Sequence, residues 1–416
     1  MDNGYFLSVL KGKSWNQKII RCIVYYNGLC MYSGIVRRFK NMLSSGRKEG
    51  RRTNDRVVSY ELVRLFATIL VVIGHSNYLA ISTKYGGVDY TSFPTTDVLS
   101  NLLFYKTEQY LVAFIYQFHM PLFFILSGAV FALSPIVSFK TLVKKKAKRL
   151  ILPYFVYGFA FMFPIKYASG FYSPKGLIKA MLSFFYTTED SGHLWFLPAL
   201  FFCFIIFRLL QIVFEKAKIY SITLICIISV FLYCLSISIS TDFLSIKNTA
   251  ANLIWFVLGF CFENYRMVLN NYSKKQLSAI CLSLVFISVA IFILPVFISF
   301  SPSKEIKIFV LCFSVYVVSE LISRAYITIY DNKVFNLIAR NLFYIYLFHD
   351  PLEYVVLKIF FSSEILIDPL FQLLYYLCRL VVIIVVSIAL GEFIRRIKNI
   401  PSIYNKSNRW RNSKNV

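Results

Sequence analysis

Apolar residues in this chain follow neither the alternation of a strand nor the single stripe of a surface helix. They run in long blocks separated by short charged segments. Crossing about 30 Å of hydrocarbon takes about 20 predominantly apolar residues, and ten blocks approach that length: 57–80, 111–133, 150–167, 194–214, 220–238, 250–262, 277–300, 306–322, 337–361 and 370–394. In lipid a spanning segment must satisfy its backbone internally, which leaves helices for runs of this length. The pattern predicts an all-α fold, a polytopic transmembrane helix bundle of about ten spans. The sixth block is short, and Pro153 interrupts the third. Residues 1–55 read as a basic cytoplasmic or interfacial segment, 56–394 as the membrane domain, and 395–416 as a basic cytoplasmic tail. The N-terminus lacks the short apolar core and small-residue cleavage site of a removable leader. No second soluble domain is expected after the last span.

Charge assigns direction to these spans. The 416 residues are 58% hydrophobic and only 16% charged, yet 45 Lys+Arg against 20 Asp+Glu leave a net charge of +25. A chain this apolar is excluded as a soluble globule. Its 42 Phe and 29 Tyr in long apolar runs argue against a nucleic-acid binder of similar charge. Segments 45–56, 140–149, 215–218, 263–276, 323–340 and 395–416 together carry 26 basic residues, whereas the intervening loops carry 8, with nine acidic ones. Basic residues in short loops mark the cytoplasmic side, so both termini are expected in the cytoplasm of a multi-pass bacterial inner-membrane protein. Membrane lipids are then its surroundings, and no nucleic-acid partner is expected. Seven of the nine cysteines fall in apolar blocks and none forms a C-x-x-C pair, which suggests neither a disulfide framework nor a zinc site.

The chain has four histidines, His75, His119, His193 and His349, each inside an apolar block or at its edge. One such residue is often a packing donor, but ionisable side chains in spans are costly and default to functional candidates. In YELVRLFATILVVIGHS, Arg64 and His75 are eleven residues apart; at 3.6 residues per turn they share a helix face, about 16 Å apart along the axis. Glu61 lies one turn before Arg64. With the deduced orientation, Arg64 and Glu61 sit near the cytoplasmic end, and all four histidines gather in the outer half of the membrane. Arg208 and Arg379 also lie within spans, but only Arg64 is set three turns below a histidine. No H-x-x-x-H or H-E-x-x-H spacing supports a metal site, and Ser127-Gly128 reads as a close-packing surface ahead of a nucleophile.

Together, the R-x10-H pair, FHMPLFFILSG, a basic loop leading to RLILPY, SGHLWFLPALFF and RNLFYIYLFHDPL resemble the acyltransferase-3 family over about residues 56–394. The family consists of bacterial integral-membrane enzymes that move acetyl or other short acyl groups to sugar hydroxyls. The HMPLFF and HLWFL forms are most similar to the branch acting on exopolysaccharides and lipopolysaccharide O-antigens. The resemblance implies that Arg64 and His75 are the pair needed for activity. Glu61 stands where relatives often have Asp.

The implied reaction is acetyl transfer from acyl-coenzyme A, a co-substrate rather than a resident cofactor, to a lipid-linked or polymeric glycan acceptor. Arg64, with Arg149 and neighbouring lysines, would hold coenzyme A phosphates. His75 would act as general base, while His119 or His349 orients the thioester or donates to the developing oxyanion. His193 is a further substrate-side candidate. Trp195 would stack on a sugar ring or serve as an interfacial anchor. Direct transfer and an acyl-histidine relay both remain open, and the oligomeric state is not encoded. The rival class is a glycan flippase or exporter, but the repeat symmetry expected of a transporter is not evident.

Overall fold

The computed structural model describes residues 57–76, 103–168, 176–217, 221–269, 272–297, 303–325, 331–360 and 369–412. These belong to a compact unit, Arg56–Val416; the segment 1–55 and most of the loop 81–110 lie outside the described residues. Every regular element among them is helical. In chain order the helices are α1 (Val58–His75), α2 (Leu103–Ala132), α3 (Phe139–Ala168), α4 (Leu177–Tyr186), α5 (Phe196–Lys216), α6 (Ser221–Ser238), α7 (Ile246–Leu269), α8 (Lys274–Phe297), α9 (Lys304–Ala325), α10 (Lys333–Phe360) and α11 (Pro369–Asn412).

Each apolar block therefore finds a helix, with two qualifications. Eight candidate spans are long and apolar enough to cross a membrane among the described residues. Of the remaining two blocks, the one in α6 gives a shorter apolar helix, Ile222–Ser238. The one in α10 has its apolarity broken by Arg340, Asp350, Glu353 and Lys358. The last helix also stays helical to Asn412, well past the boundary at 394.

Pro153 does not end α3. It follows a π-helical turn, Ala147–Ile151, and a second π turn, Gly158–Met162, comes further on. Such turns absorb an irregularity inside a continuing helix. As a result α3 runs to Ala168, and Lys166, at the edge of the block 150–167, belongs to its last turn. Between α4 and α5 the chain makes a 3₁₀ turn, Glu189–Trp195, that brings His193 inward.

Packing is closest where glycines allow it. A Cβ on Gly128 of α2 would lie 1.9 Å from the Phe256 carbonyl oxygen of α7, and one on Gly259 of α7 would lie 1.8 Å from the Ile125 oxygen of α2. The Ser127-Gly128 pair thus serves a backbone-to-backbone crossing.

Helix α1 lies among α2, α9 and α10. Near its start Leu62 packs with Phe335 and Ala339 of α10; at its end His75 meets His349. Both separations, 62 to 75 and 339 to 349, advance in the same direction, so α1 and α10 run parallel. The residues that begin one helix face those that begin the other.

Candidate active site

The site forms where α1 ends. The last carbonyls of a helix lack intrahelical partners, and here the Ile73 oxygen accepts from the Tyr376 hydroxyl of α11 at 3.2 Å. Ser76, the residue after His75, donates its hydroxyl to Glu353 of α10. The Glu353 carboxylate also accepts from Arg379 of α11 at 2.5 Å, with both side chains fully buried. The end of α1 is thereby fixed against two other helices, and the direction of His75 is fixed with it.

Helix α10 supplies the centre. Pro351 lies inside it and has no N–H, so the Leu347 carbonyl four residues earlier loses its helical donor. His193 Nε2 takes that oxygen at 3.1 Å, and the Tyr346 hydroxyl donates to the His193 carbonyl at 2.5 Å. The proline thus makes the docking point for the 3₁₀ turn.

Asp350, which the sequence reading passes over, is the hub. Its Oδ1 faces His75 Nδ1 at 3.4 Å, while its Oδ2 meets Lys166 Nζ at 2.7 Å and His193 Nδ1 at 3.1 Å. Asp350, Lys166 and His193 are buried, whereas the His75 side chain keeps 18% of its surface exposed. A carboxylate on Nδ1 orients an imidazole and leaves Nε2 as the working nitrogen, the arrangement used for general bases. Gly192 makes the convergence possible: its backbone has φ +52° and ψ −134°, and a Cβ there would come 2.8 Å from Lys166 Nζ. The backbone conformation calls for glycine, and a side chain there would also press on the Lys166 ammonium.

The other histidines differ in what they can offer. Both ring nitrogens of His193 face acceptors, so it is locked as a structural link. His349 is completely buried between His75 and His193, with ring centroids 5.0 and 4.9 Å away. Its Nδ1 lies 2.8 Å from the Tyr346 carbonyl oxygen, which can only accept, so Nδ1 carries the proton and Nε2 presents a lone pair. His119 does the same with the Ile115 carbonyl at 2.9 Å. In these tautomers the outer nitrogen of either ring accepts rather than donates, so an oxyanion-donor role for His119 or His349 would require protonation. His119 joins the cluster through Tyr116, whose ring lies 5.0 Å from His119 and 6.0 Å from His75.

Three turns away, Arg64 and Glu61 form a half-exposed pair at 3.1 Å, and Arg149 lies within electrostatic reach of both. Arg64, Glu61 and Arg149 thus lie near one another at the opposite end of α1 from His75. Trp195 enters neither group; its ring packs near Phe124 and Phe196. Among the described residues no group of three or more His, Cys, Asp or Glu side chains is placed to hold a metal ion.

Residues missed from sequence are Asp350, Lys166, Glu353 and Gly192, with Arg379 noted but set aside. Signals existed for the ionisable ones: each stands in or beside an apolar run, where an unpaired charge is costly.

Comparison with known proteins completes the assignment. No curated protein and no solved structure matches the chain at a significant level. The family model described as an acyltransferase domain matches residues 57–392, a stretch that contains both polar clusters and every helix from α1 to most of α11. The chain is a multi-pass membrane acyltransferase belonging to the acyltransferase-3 family.

Proposed function

We propose that the enzyme transfers an acetyl or other short acyl group from acyl-coenzyme A to a sugar hydroxyl of a cell-surface glycan, such as O-antigen or exopolysaccharide, at the bacterial inner membrane. The observation that carries this reading is His75, the partly exposed histidine, held through Nδ1 by a buried carboxylate 3.4 Å away. His75 Nε2 takes the proton of the acceptor hydroxyl as its oxygen attacks the thioester carbon. The new C–O bond forms, the C–S bond breaks, and the proton passes to the departing coenzyme A thiolate. Arg64 and Arg149 supply positive charge for the coenzyme A phosphates, with Glu61 fixing the direction of Arg64. The loop asymmetry of basic residues supports placing this arginine end in the cytoplasm, where the acyl donor is made, and the histidine end toward the outer face.

The test replaces His75 with Gln in the full chain, confirms normal insertion, and follows label from [14C]acetyl-coenzyme A into the glycan of inverted membrane vesicles. Transfer should fall by about 10²–10⁴-fold, the usual contribution of a positioned base. Undiminished transfer by a normally inserted protein overturns the assignment. Mass spectrometry of surface glycans from a deletion strain should show loss of an acetyl-sized increment and thereby identify the acceptor.

A further inference from the structure

The two oxygens of Asp350 have separate duties. Oδ2 is occupied by Lys166 and His193, and Oδ1 is turned to His75. Lys166 reaches this position from the last turn of α3, fully enclosed, with its ammonium 5.1 Å from the Tyr354 ring centroid. A buried carboxylate requires a counter-charge. If Lys166 did not provide it, the duty would fall on the imidazoles alone: His193, whose two nitrogens already face acceptors, and His75. An imidazole serving as counter-cation carries protons on both nitrogens and has no lone pair for an incoming proton.

We propose that Lys166 is a positioning residue for acyl transfer: its ammonium anchors and neutralises Oδ2 of Asp350, so that Oδ1 aligns His75 without recruiting it as the counter-cation. This rests on the reading of His75 as the base. The α2 groups near His75 are Tyr116 and His119. Those of α10 are His349, Asp350 and Glu353, with Arg379 of α11 behind Glu353. Lys166 holds Asp350 at ion-pair distance, and Asp350 faces His75, so the lysine acts on His75 through that carboxylate. Lys166 lies at the opposite end of α1 from the arginine cluster, so it should not influence how tightly the acyl donor binds.

The experiment uses the full-length protein in inverted membrane vesicles with [14C]acetyl-coenzyme A as donor, and compares Lys166→Met, Lys166→Arg and the double variant Lys166→Met with Asp350→Asn. Lys166→Met should lower the maximal rate at least 100-fold while the KM for acetyl-coenzyme A stays within threefold of wild type. Lys166→Arg should recover to within tenfold. The double variant should regain the thermal stability that Lys166→Met loses, because the uncompensated anion is gone, yet remain inactive. If Lys166→Met fails to accumulate, the arginine variant decides alone: a rate as low as that of His75→Gln at normal accumulation overturns the proposal. A Lys166→Met rate within threefold of wild type, or a defect expressed as raised KM at unchanged maximal rate, also overturns it. Were His75→Gln itself fully active, the base assignment would fail; were it inactive beside an active Lys166→Met, only the role of the lysine would.

Discussion

The two ends of α1 carry polar clusters made from similar residue types but built on opposite terms. At the His75 end the charges are enclosed and paired, Asp350 with Lys166 and Glu353 with Arg379. At the other end Arg64 and Glu61 keep 32% and 14% of their side-chain surface. Removing one member of an enclosed pair leaves a charge that water cannot reach, at a cost of about 3–5 kcal/mol. Removing one member of a half-exposed pair costs about 1 kcal/mol or less. The enclosed cluster holds a geometry together, whereas the charge of Arg64 stays partly open to water.

The largest effect should come from Asp350, because it serves three partners at once. Asp350→Ala leaves Lys166 buried without its anion, and the chain should accumulate poorly in membranes, as read by immunoblot of the inserted fraction. Asp350→Asn keeps the volume and one acceptor oxygen, so it should insert but lose acyl transfer by about 10³–10⁴-fold, comparable to the loss when the orienting carboxylate of a base is neutralised. An alanine variant that both accumulates and transfers normally would remove Asp350 from the centre and dissolve the contrast between the two ends.

An intermediate effect is expected at Gly192, which carries no charge. Gly192→Ala must place a side chain at φ +52° and within 2.8 Å of Lys166 Nζ. Backbone strain of this kind costs about 1–3 kcal/mol, and a displaced Lys166 would misalign Asp350. Transfer should fall about 10²-fold, with the melting temperature lowered in detergent. If the alanine variant keeps its rate, the turn tolerates more movement than the Lys166 and Asp350 contacts imply.

How legible this was from sequence depends on the kind of information each feature needs. The ten apolar blocks were visible because lipid imposes length and apolarity locally, and each block holds a helix among the described residues. The gathering of the four histidines was also readable, since a helix fixes axial spacing and neighbouring spans share a membrane depth. Asp350 was hidden by its own setting: beside His349, in a helix with Pro351, it looks like a local break in an apolar run. Its partners come from positions 166 and 193, and no spacing rule links these to 350. Lys166 was hidden by its place at the edge of the block 150–167, where a lysine reads as the start of a loop; the structure keeps it buried in the last turn of α3. The close crossing of α2 and α7 depends on Gly259 meeting the backbone near Gly128, a pairing set by tertiary contact alone.

The smallest effect on stability, and the most informative at the exposed end, should come from Arg64. The Arg64 and Glu61 contact is one turn of the same helix, at 3.1 Å and open to water, so Arg64→Ala should shift unfolding by about 1 kcal/mol or less and leave the Asp350 cluster intact. If this end receives coenzyme A phosphates, the same substitution should raise the KM for acetyl-coenzyme A by about tenfold, the affinity equivalent of about 1.4 kcal/mol. Arg64→Lys then separates two forms of recognition. A lysine supplies a point charge but not the planar two-donor face of a guanidinium; near-complete recovery would mean that field alone is used, and continued weakness would mean that the phosphate is gripped through paired hydrogen bonds. A fall in the maximal rate at unchanged KM for both variants would instead connect Arg64 to the chemistry three turns away, and the division of labour between the two ends of α1 would no longer stand.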